Sequence, residues 1–94
     1  MFTALADPTR RRILELLRSH ERSVGEMVFE LGCSQTAVSK HLRVLRETGL
    51  VDVRVAAQMR YYRIRRARFE ELAEWIATFR QPWSTASEEG AGNG

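Results

Sequence analysis

The sequence predicts a small, mainly α-helical domain that carries one β-hairpin. Apolar residues recur at helical spacing in four short segments before residue 50, and the spacing changes to strict alternation between residues 51 and 65. Helical spacing returns from Ala67 onward. The chain has 94 residues, of which 44% are hydrophobic, and this size suits one domain rather than two.

The first two helices meet at the pair Asp7-Pro8. We expect residues 2–6 to form a short helix that ends there, because proline disfavours helical geometry in the residue before it. Asp7 then suits the N-cap of a second helix and Pro8 suits its first position. We expect this helix to end near Ser19. Its apolar stripe consists of Ile13, Leu14 and Leu17.

Two further helices follow, each with its own start and stop signals. Ser23 and Glu26 have the spacing of a capping box, and Gly32 ends the third helix. Ser34 is placed to cap the fourth helix, and Gly49 supplies a left-handed end. The apolar side of the fourth helix consists of Val38, Leu42 and Leu45. Its polar side consists of Gln35, Ser39, Arg43 and Arg46, flanked by Thr36 and Lys40.

Alternating residues from 51 to 65 predict two strands joined near residues 56–59, with a basic outward face. A last helix begins near Ala67. Its apolar seam consists of Phe69, Leu72, Ile76, Phe79 and Trp83, widened by Trp75. Residues 84–94 have nothing to bury. We therefore expect one domain over residues 1–83 and a disordered tail over residues 84–94.

Positive charge is concentrated in the middle third of the chain. The formal net charge is +3. Residues 34–66 hold eight basic and two acidic side chains, a net of +6, whereas residues 1–33 are neutral and residues 67–94 carry −3. Because the potential at a surface follows the nearby charges, this asymmetry indicates a polyanionic partner.

A helix-turn-helix followed by a basic two-stranded wing is a DNA-reading architecture. The stretches LADPTRRRILELL (residues 5–17), SQTAVSKHLRVLRETGLV (residues 34–51) and RYYRI (residues 60–64) closely resemble the ArsR/SmtB-type winged helix-turn-helix transcriptional repressors. The resemblance extends over nearly all of residues 2–83. It implies a homodimer whose first and last helices form the interface, and whose recognition helices enter successive major grooves of an inverted-repeat operator in double-stranded DNA.

Residue roles follow from this resemblance and from side-chain chemistry. The DNA-binding candidates are Ser34, Gln35, Thr36, Ser39, Lys40, Arg43, Arg46, Arg54 and Arg60. The early residues of the recognition helix can reach base edges, while the arginines suit phosphates or the minor groove. The dimer-interface candidates are Phe2, Leu5, Phe69, Leu72, Trp75, Ile76, Phe79 and Trp83.

Three assignments have alternatives that the sequence leaves open. His41 is either a packed structural histidine or a base contact. Arg10 and Arg11 either contact DNA or pair with neighbouring carboxylates. The wing tip, residues 56–59, departs from the family, which commonly places glycine there for a tight turn.

We expect no metal site and no cofactor. Many members of the resembled family sense metals through a Cys-x-Cys pair, and the matching positions here are Ser23 and Gly25. The only histidines are His20 and His41, and the only cysteine is Cys33. These residues do not supply the three or four closely spaced ligands that a zinc centre needs. Cys33 is interpreted as a small buried hydrophobe, with a thiol redox switch as the alternative. A small-molecule inducer of unknown identity remains open.

Other functional classes fit less well. The sequence has no glycine-rich phosphate loop and no clustered set of histidines or carboxylates, so we do not expect an enzyme. A winged helix used as a protein interaction module is the alternative, but such modules normally lose the positive charge that the polar face here keeps. No apolar run approaches the roughly 20 residues that span a bilayer, and we expect a soluble cytoplasmic protein.

Overall fold

The computed structural model describes the backbone of residues 2–89 and the side chains of residues 3–80. The elements are, in chain order, α1 (Phe2–Ala6), α2 (Pro8–Ser19), β1 (Arg22–Ser23), α3 (Val24–Leu31), α4 (Gln35–Glu47), β2 (Val51–Ala56), β3 (Met59–Ile64) and α5 (Arg66–Glu89). The predicted fold class, mainly helical with a small hairpin, is confirmed.

Side-chain caps fix where α2 and α3 begin. The Asp7 carboxylate accepts hydrogen bonds from the backbone N–H groups of Thr9 (2.8 Å) and Arg10 (3.2 Å). The N–H groups of Arg10 and Thr9 hold the pKa of Asp7 below its ordinary 3.8. Ser23 and Glu26 form the predicted capping box, in which each side chain bonds the backbone N–H of the other residue.

Both ends of α4 are also defined locally. The Ser34 hydroxyl accepts a hydrogen bond from the third residue of the helix at 3.1 Å. At the other end Gly49 is left-handed with φ 79°. Its N–H donates to Arg46 O and the N–H of Leu50 donates to Leu45 O, both at 3.0 Å. This pair of bonds is a Schellman motif, and it satisfies carbonyls that would otherwise lack partners.

The sheet has three antiparallel strands in the order β1-β3-β2. We call the β2–β3 hairpin, residues 51–64, the wing. The sequence predicted the two strands of the wing but not β1, because β1 has only two residues, the second of which is the cap of α3, and so cannot show a periodic pattern. At the wing tip Ala57 adopts φ 56°, the left-handed conformation for which hairpin turns usually select glycine.

One hydrophobic core joins the helices to the sheet. Its buried members are Ala4, Ile13, Leu14, Leu17, Met27, Leu31, Val38, Leu42, Leu45, Leu50, Val51 and Tyr62. Phe69 at the start of α5 packs against this core while remaining partly exposed. The core therefore fixes α4 and the base of the wing to the same body.

Several predictions concern residues outside the described part of the chain. The side chains of Phe2 and Trp83 lie outside the described residues. The assigned end of α5 is Glu89, beyond the predicted domain end at residue 83, but residues 90–94 lie outside the described backbone. The disordered tail over residues 84–94 stays a prediction. In the described residues, no helix has the length and apolar character needed to cross a bilayer.

Replacing Gly49 by alanine tests the end of α4. Because Gly49 is left-handed, Gly49→Ala should lower the free energy of unfolding by about 1–2 kcal/mol. Gly25 is an exposed glycine inside α3, where an added methyl group would meet only Ser23 Oγ at 4.0 Å. Gly25→Ala should instead stabilise by roughly 0.5–1 kcal/mol. Urea denaturation measures both, and two shifts of the same sign would contradict this explanation.

Candidate nucleic-acid interface

The outward face of α4 carries most of the predicted DNA-binding residues. Val38, Leu42 and Leu45 are buried on the opposite side, so the helical period turns the polar row away from the core. The exposed side chains along this row are Gln35, Thr36, Ser39, Lys40, Arg43 and Arg46. All but Arg46 line one open depression. The structure therefore brings these predicted residues together on one surface.

A second depression continues this surface toward the sheet. It is lined by Ser39, Arg43, Arg46, Glu47 and Tyr62. Ser39 and Arg43 belong to both depressions. The polar row of α4 and the face of the wing that carries Tyr62 thus form one continuous surface.

The cations on α4 are available to a ligand. Among the described residues, the side chains of Lys40 and Arg46 have no hydrogen-bond or ion-pair partner. Arg43 Nε lies 3.2 Å from Glu47 Oε2, but these two side chains are 78% and 65% exposed. An exposed pair of this kind contributes only about 0.3–0.5 kcal/mol. A phosphate can therefore replace Glu47 as the partner of Arg43.

The two wing arginines predicted to contact DNA lie on opposite faces of the hairpin. Arg54 is directly opposite Tyr61, and Val55 is directly opposite Arg60. Since neighbouring residues along a strand point to opposite faces, Arg60 shares the face of Tyr62. Arg60 is therefore on the same side as the polar row of α4, and Arg54 is on the other side.

Arg54 is engaged within the chain. Its Nε lies 3.0 and 3.2 Å from the two carboxylate oxygens of Glu21, and its NH2 group also donates to that carboxylate. The guanidinium carbon lies 5.1 Å from the centre of the Tyr61 ring. The hydrogen bond from Arg54 lowers the pKa of Glu21. Sequence reasoning did not single out Glu21, because its partner is 33 positions away and no local pattern links the two.

Arg10 and Arg11 have partners that the sequence did not predict. Arg10 Nε donates to Ala4 O at 2.9 Å, and Arg11 NH1 donates to Leu5 O at 2.8 Å. The two arginines thus cap the last carbonyls of α1 instead of pairing with carboxylates. Arg10 NH1 also lies 3.3 Å from Nδ1 of the half-buried His41. Because arginine only donates, Nδ1 accepts, and His41 links α4 to α2.

The residues considered for sensing are placed as follows. Ser23 is buried as the cap of α3, Gly25 is exposed, and Cys33 is half-buried with its Sγ 3.8 Å from Leu31 O. Among residues 3–80, no three histidine, cysteine, aspartate or glutamate side chains lie together as a metal site would require. The absence of a metal site in the whole chain stays a prediction.

The seam of α5 presents aromatic surface to the outside. Trp75, Ile76 and Phe79 are 50%, 45% and 51% exposed. The rings of Trp75 and Phe79 meet edge to face, with their centroids 4.8 Å apart. Next to the start of α5 is an open groove. Its apolar lining consists of Leu5, Leu14, Ile64, Phe69 and Ala73.

Comparison with known proteins agrees with this geometry. A model of the family described as "Bacterial regulatory protein, arsR family" matches residues 7–53. The chain belongs to the ArsR family. This family consists of transcriptional regulators, not enzymes, and the predicted family and class of function are confirmed. The chain is a DNA-binding transcriptional regulator.

Relatives from several bacteria resemble this ArsR-family chain. The transcriptional activator HlyU of Vibrio cholerae is 38% identical over 76 residues, which cover 81% of this chain and 70% of HlyU. The transcriptional repressor SdpR of Bacillus subtilis is 28% identical over 79 residues, which cover 84% of this chain and 88% of SdpR. A solved ArsR-like regulator from Rhodococcus sp. RHA1 superimposes with a TM-score of 0.88 at 28% identity, covering 94% and 81% of the two chains.

The Glu21–Arg54 pair makes the stability of the domain depend on pH. The folded-state pKa of Glu21 is below its ordinary 4.5. Ionised Glu21 therefore stabilises the fold above pH 4.5, and this stabilisation is lost as the pH falls through the folded-state pKa. Glu21→Gln should therefore lower the melting temperature at pH 7, and this difference from the unaltered protein should shrink as the pH falls below 4.5. Melting curves across this range measure the effect. The same substitution in an Arg54→Met background should show no such pH dependence, and an unchanged dependence would contradict the pairing.

Proposed function

We propose that this ArsR-family protein is a homodimeric repressor that binds an inverted-repeat operator in double-stranded DNA. The observation that carries the proposal is the exposed polar row of α4, with Lys40 and Arg46 free of partners among the described residues and Tyr62 at its edge. A helix has the width that the major groove of B-DNA admits. Because α4 carries the exposed polar row, α4 is the proposed recognition helix.

The two ends of the polar row have different tasks. Gln35, Thr36, Ser39 and Lys40 lie in the first half of α4, where side chains of a recognition helix reach base edges. Gln35 can pair with adenine and Lys40 with guanine. Ser34 caps the helix, and we propose that it also contacts the DNA backbone. Further along, Arg43 and Arg46 suit phosphates, which position the domain without reading sequence. Arg60 is placed on the same side to contact the DNA backbone or the minor groove.

Exposed apolar surface supports dimerisation through α1 and α5. Trp75, Ile76 and Phe79 present an apolar face along α5, and Leu5 and Phe69 lie in the adjoining groove. Pairing two copies removes this surface from water, which stabilises by about 25 cal/mol per Å² of apolar area. A two-fold dimer then places two α4 helices roughly 34 Å apart, one turn of DNA.

Repression follows if the dimer simply occupies a promoter. The relative SdpR is named a repressor, whereas HlyU is named an activator, so a transcription assay with and without the protein decides the direction. We propose that the protein acts in the cytoplasm without a bound metal or cofactor. Release by a small-molecule inducer is compatible with the open groove beside α5.

Lys40→Ala tests the recognition helix. On a duplex enriched from a random library by the unaltered protein, the substitution should weaken binding by about tenfold and relax sequence preference, because a base contact is lost. Fluorescence anisotropy against salt measures affinity, and the affinity of the unaltered protein should fall steeply as salt rises. Arg18→Ala, which removes an exposed cation paired with Glu15 on α2, is the matched control. Equal effects of the two substitutions would remove Lys40 from the interface.

Substitutions in the α5 seam test the dimer. Trp75→Ala and Phe79→Ala should shift the protein toward monomer or unfold it, because they remove apolar area at the proposed interface. Sedimentation velocity and circular dichroism distinguish these results. Phe29→Ala removes an aromatic side chain that is 85% exposed on α3, and it should leave the dimer intact. Stable dimers of both α5 variants would contradict an interface along this seam.

A further inference from the structure

Within residues 2–89, no third strand lies beside the outer part of the wing. In the described residues, β1 pairs only with Tyr62 and Tyr61 of β3. From there to the wing tip, the described sheet consists of β2 and β3 alone. We call residues 55–60 the distal wing. A two-stranded hairpin has little stability by itself. The direction of the distal wing must therefore be fixed where it leaves the body.

The Glu21–Arg54 ion pair lies where the distal wing leaves the body of the domain. Arg54 is opposite Tyr61, and Tyr61 is in turn the partner of Ser23 in β1. Glu21 belongs to the segment between α2 and β1. Both carboxylate oxygens of Glu21 bind the guanidinium, and the Tyr61 ring packs beneath it. The contact thus joins β2, β3 and the connection from α2 to β1.

This pair differs from the other ion pairs of residues 3–80. Three of those pairs join residues three or four positions apart in one helix, and Arg63–Asp52 lies within the wing itself. Glu21–Arg54 joins the wing to the helical body, and its side chains are only 31% and 42% exposed. A two-oxygen contact to arginine also restricts orientation more than a single contact does.

We propose that Glu21 and Arg54 are positioning residues that set the angle of the distal wing against α4, and that Arg54 does not itself bind phosphate. Arg60, on the opposite face of the wing, is the group that this angle brings toward DNA. The inference rests on the proposed function, because it assumes that α4 and the wing engage one duplex.

The change in net charge caused by Glu21→Gln distinguishes this proposal from a direct contact between Arg54 and phosphate. Glu21→Gln raises the net charge of the protein by one, so electrostatics alone predicts tighter DNA binding. Loss of wing positioning predicts weaker binding. A role of Glu21 in merely restraining a phosphate-binding Arg54 likewise predicts tighter binding, with a steeper salt dependence. The sign of the change therefore decides between positioning and direct contact.

The experiment measures the Kd and its salt dependence on the enriched duplex for four variants. Glu21→Gln and Arg54→Met should each weaken binding by about three- to tenfold, the size expected when a contact in a network is lost. Neither should reduce the slope of log K against log salt by the roughly 0.9 that one phosphate contact contributes. The exchanged pair E21R/R54E keeps the net charge and should recover most of the affinity. Arg63→Met, an equal loss of charge on the same face of the wing, should change the Kd less than about twofold.

Two results would overturn the proposal. One is tighter binding by Glu21→Gln together with a reduced salt slope for Arg54→Met, which would make Arg54 a phosphate contact. The other is an unchanged Kd for both single variants while circular dichroism shows them folded. If either single variant fails to fold, the exchanged pair decides: a folded exchanged pair that binds no better than Arg54→Met contradicts positioning. If the unaltered protein itself does not bind the duplex, the proposed function fails instead, and the two failures are thereby distinguished.

Discussion

The rotation of α4 about its own axis is the constraint on which the interface depends. Val38, Leu42 and Leu45 are almost completely buried in the core, and the helical period then directs the polar row outward. Turning the helix by one residue, about 100°, would place charged or polar side chains in an apolar core, which costs several kcal/mol per unpaired group. Ser34 and Gly49 fix the two ends of α4. A small number of local signals and one apolar stripe therefore position the whole polar row of α4.

Charge concentration explains attraction to a polyanion, but contact geometry decides which cations can bind it. Residues 34–66 carry a net charge of +6, yet their cations have different surroundings. Lys40 and Arg46 point outward without partners among the described residues, and Arg43 is held only by an exposed pair. Arg54 is bound by Glu21 on the face of the wing away from α4. If Arg54 is a positioning residue, as proposed above, counting arginines in the wing overestimates the number of phosphate contacts.

Sequence reasoning succeeded where the signal was local. The capping box of Ser23 and the left-handed Gly49 predicted helix ends that the structure confirms, and the period of two predicted the two strands of the wing. It missed β1, whose two residues cannot show a period. It also could not pair Glu21 with Arg54, or direct Arg10 to the carbonyls of α1. Those contacts form only when segments distant in sequence are packed together by the core.

Backbone NMR of the isotope-labelled protein, titrated with a short random-sequence duplex at low ionic strength, tests the central claim most directly. Non-specific binding is electrostatic, so the duplex should meet the same cationic surface as an operator. We expect the largest shift changes along the outward positions of α4 and around Arg60, with little change at the exposed face of α3 that carries Phe29. Changes centred on α3 or on the seam of α5, with α4 unaffected, would contradict the orientation of α4 as the DNA-facing element.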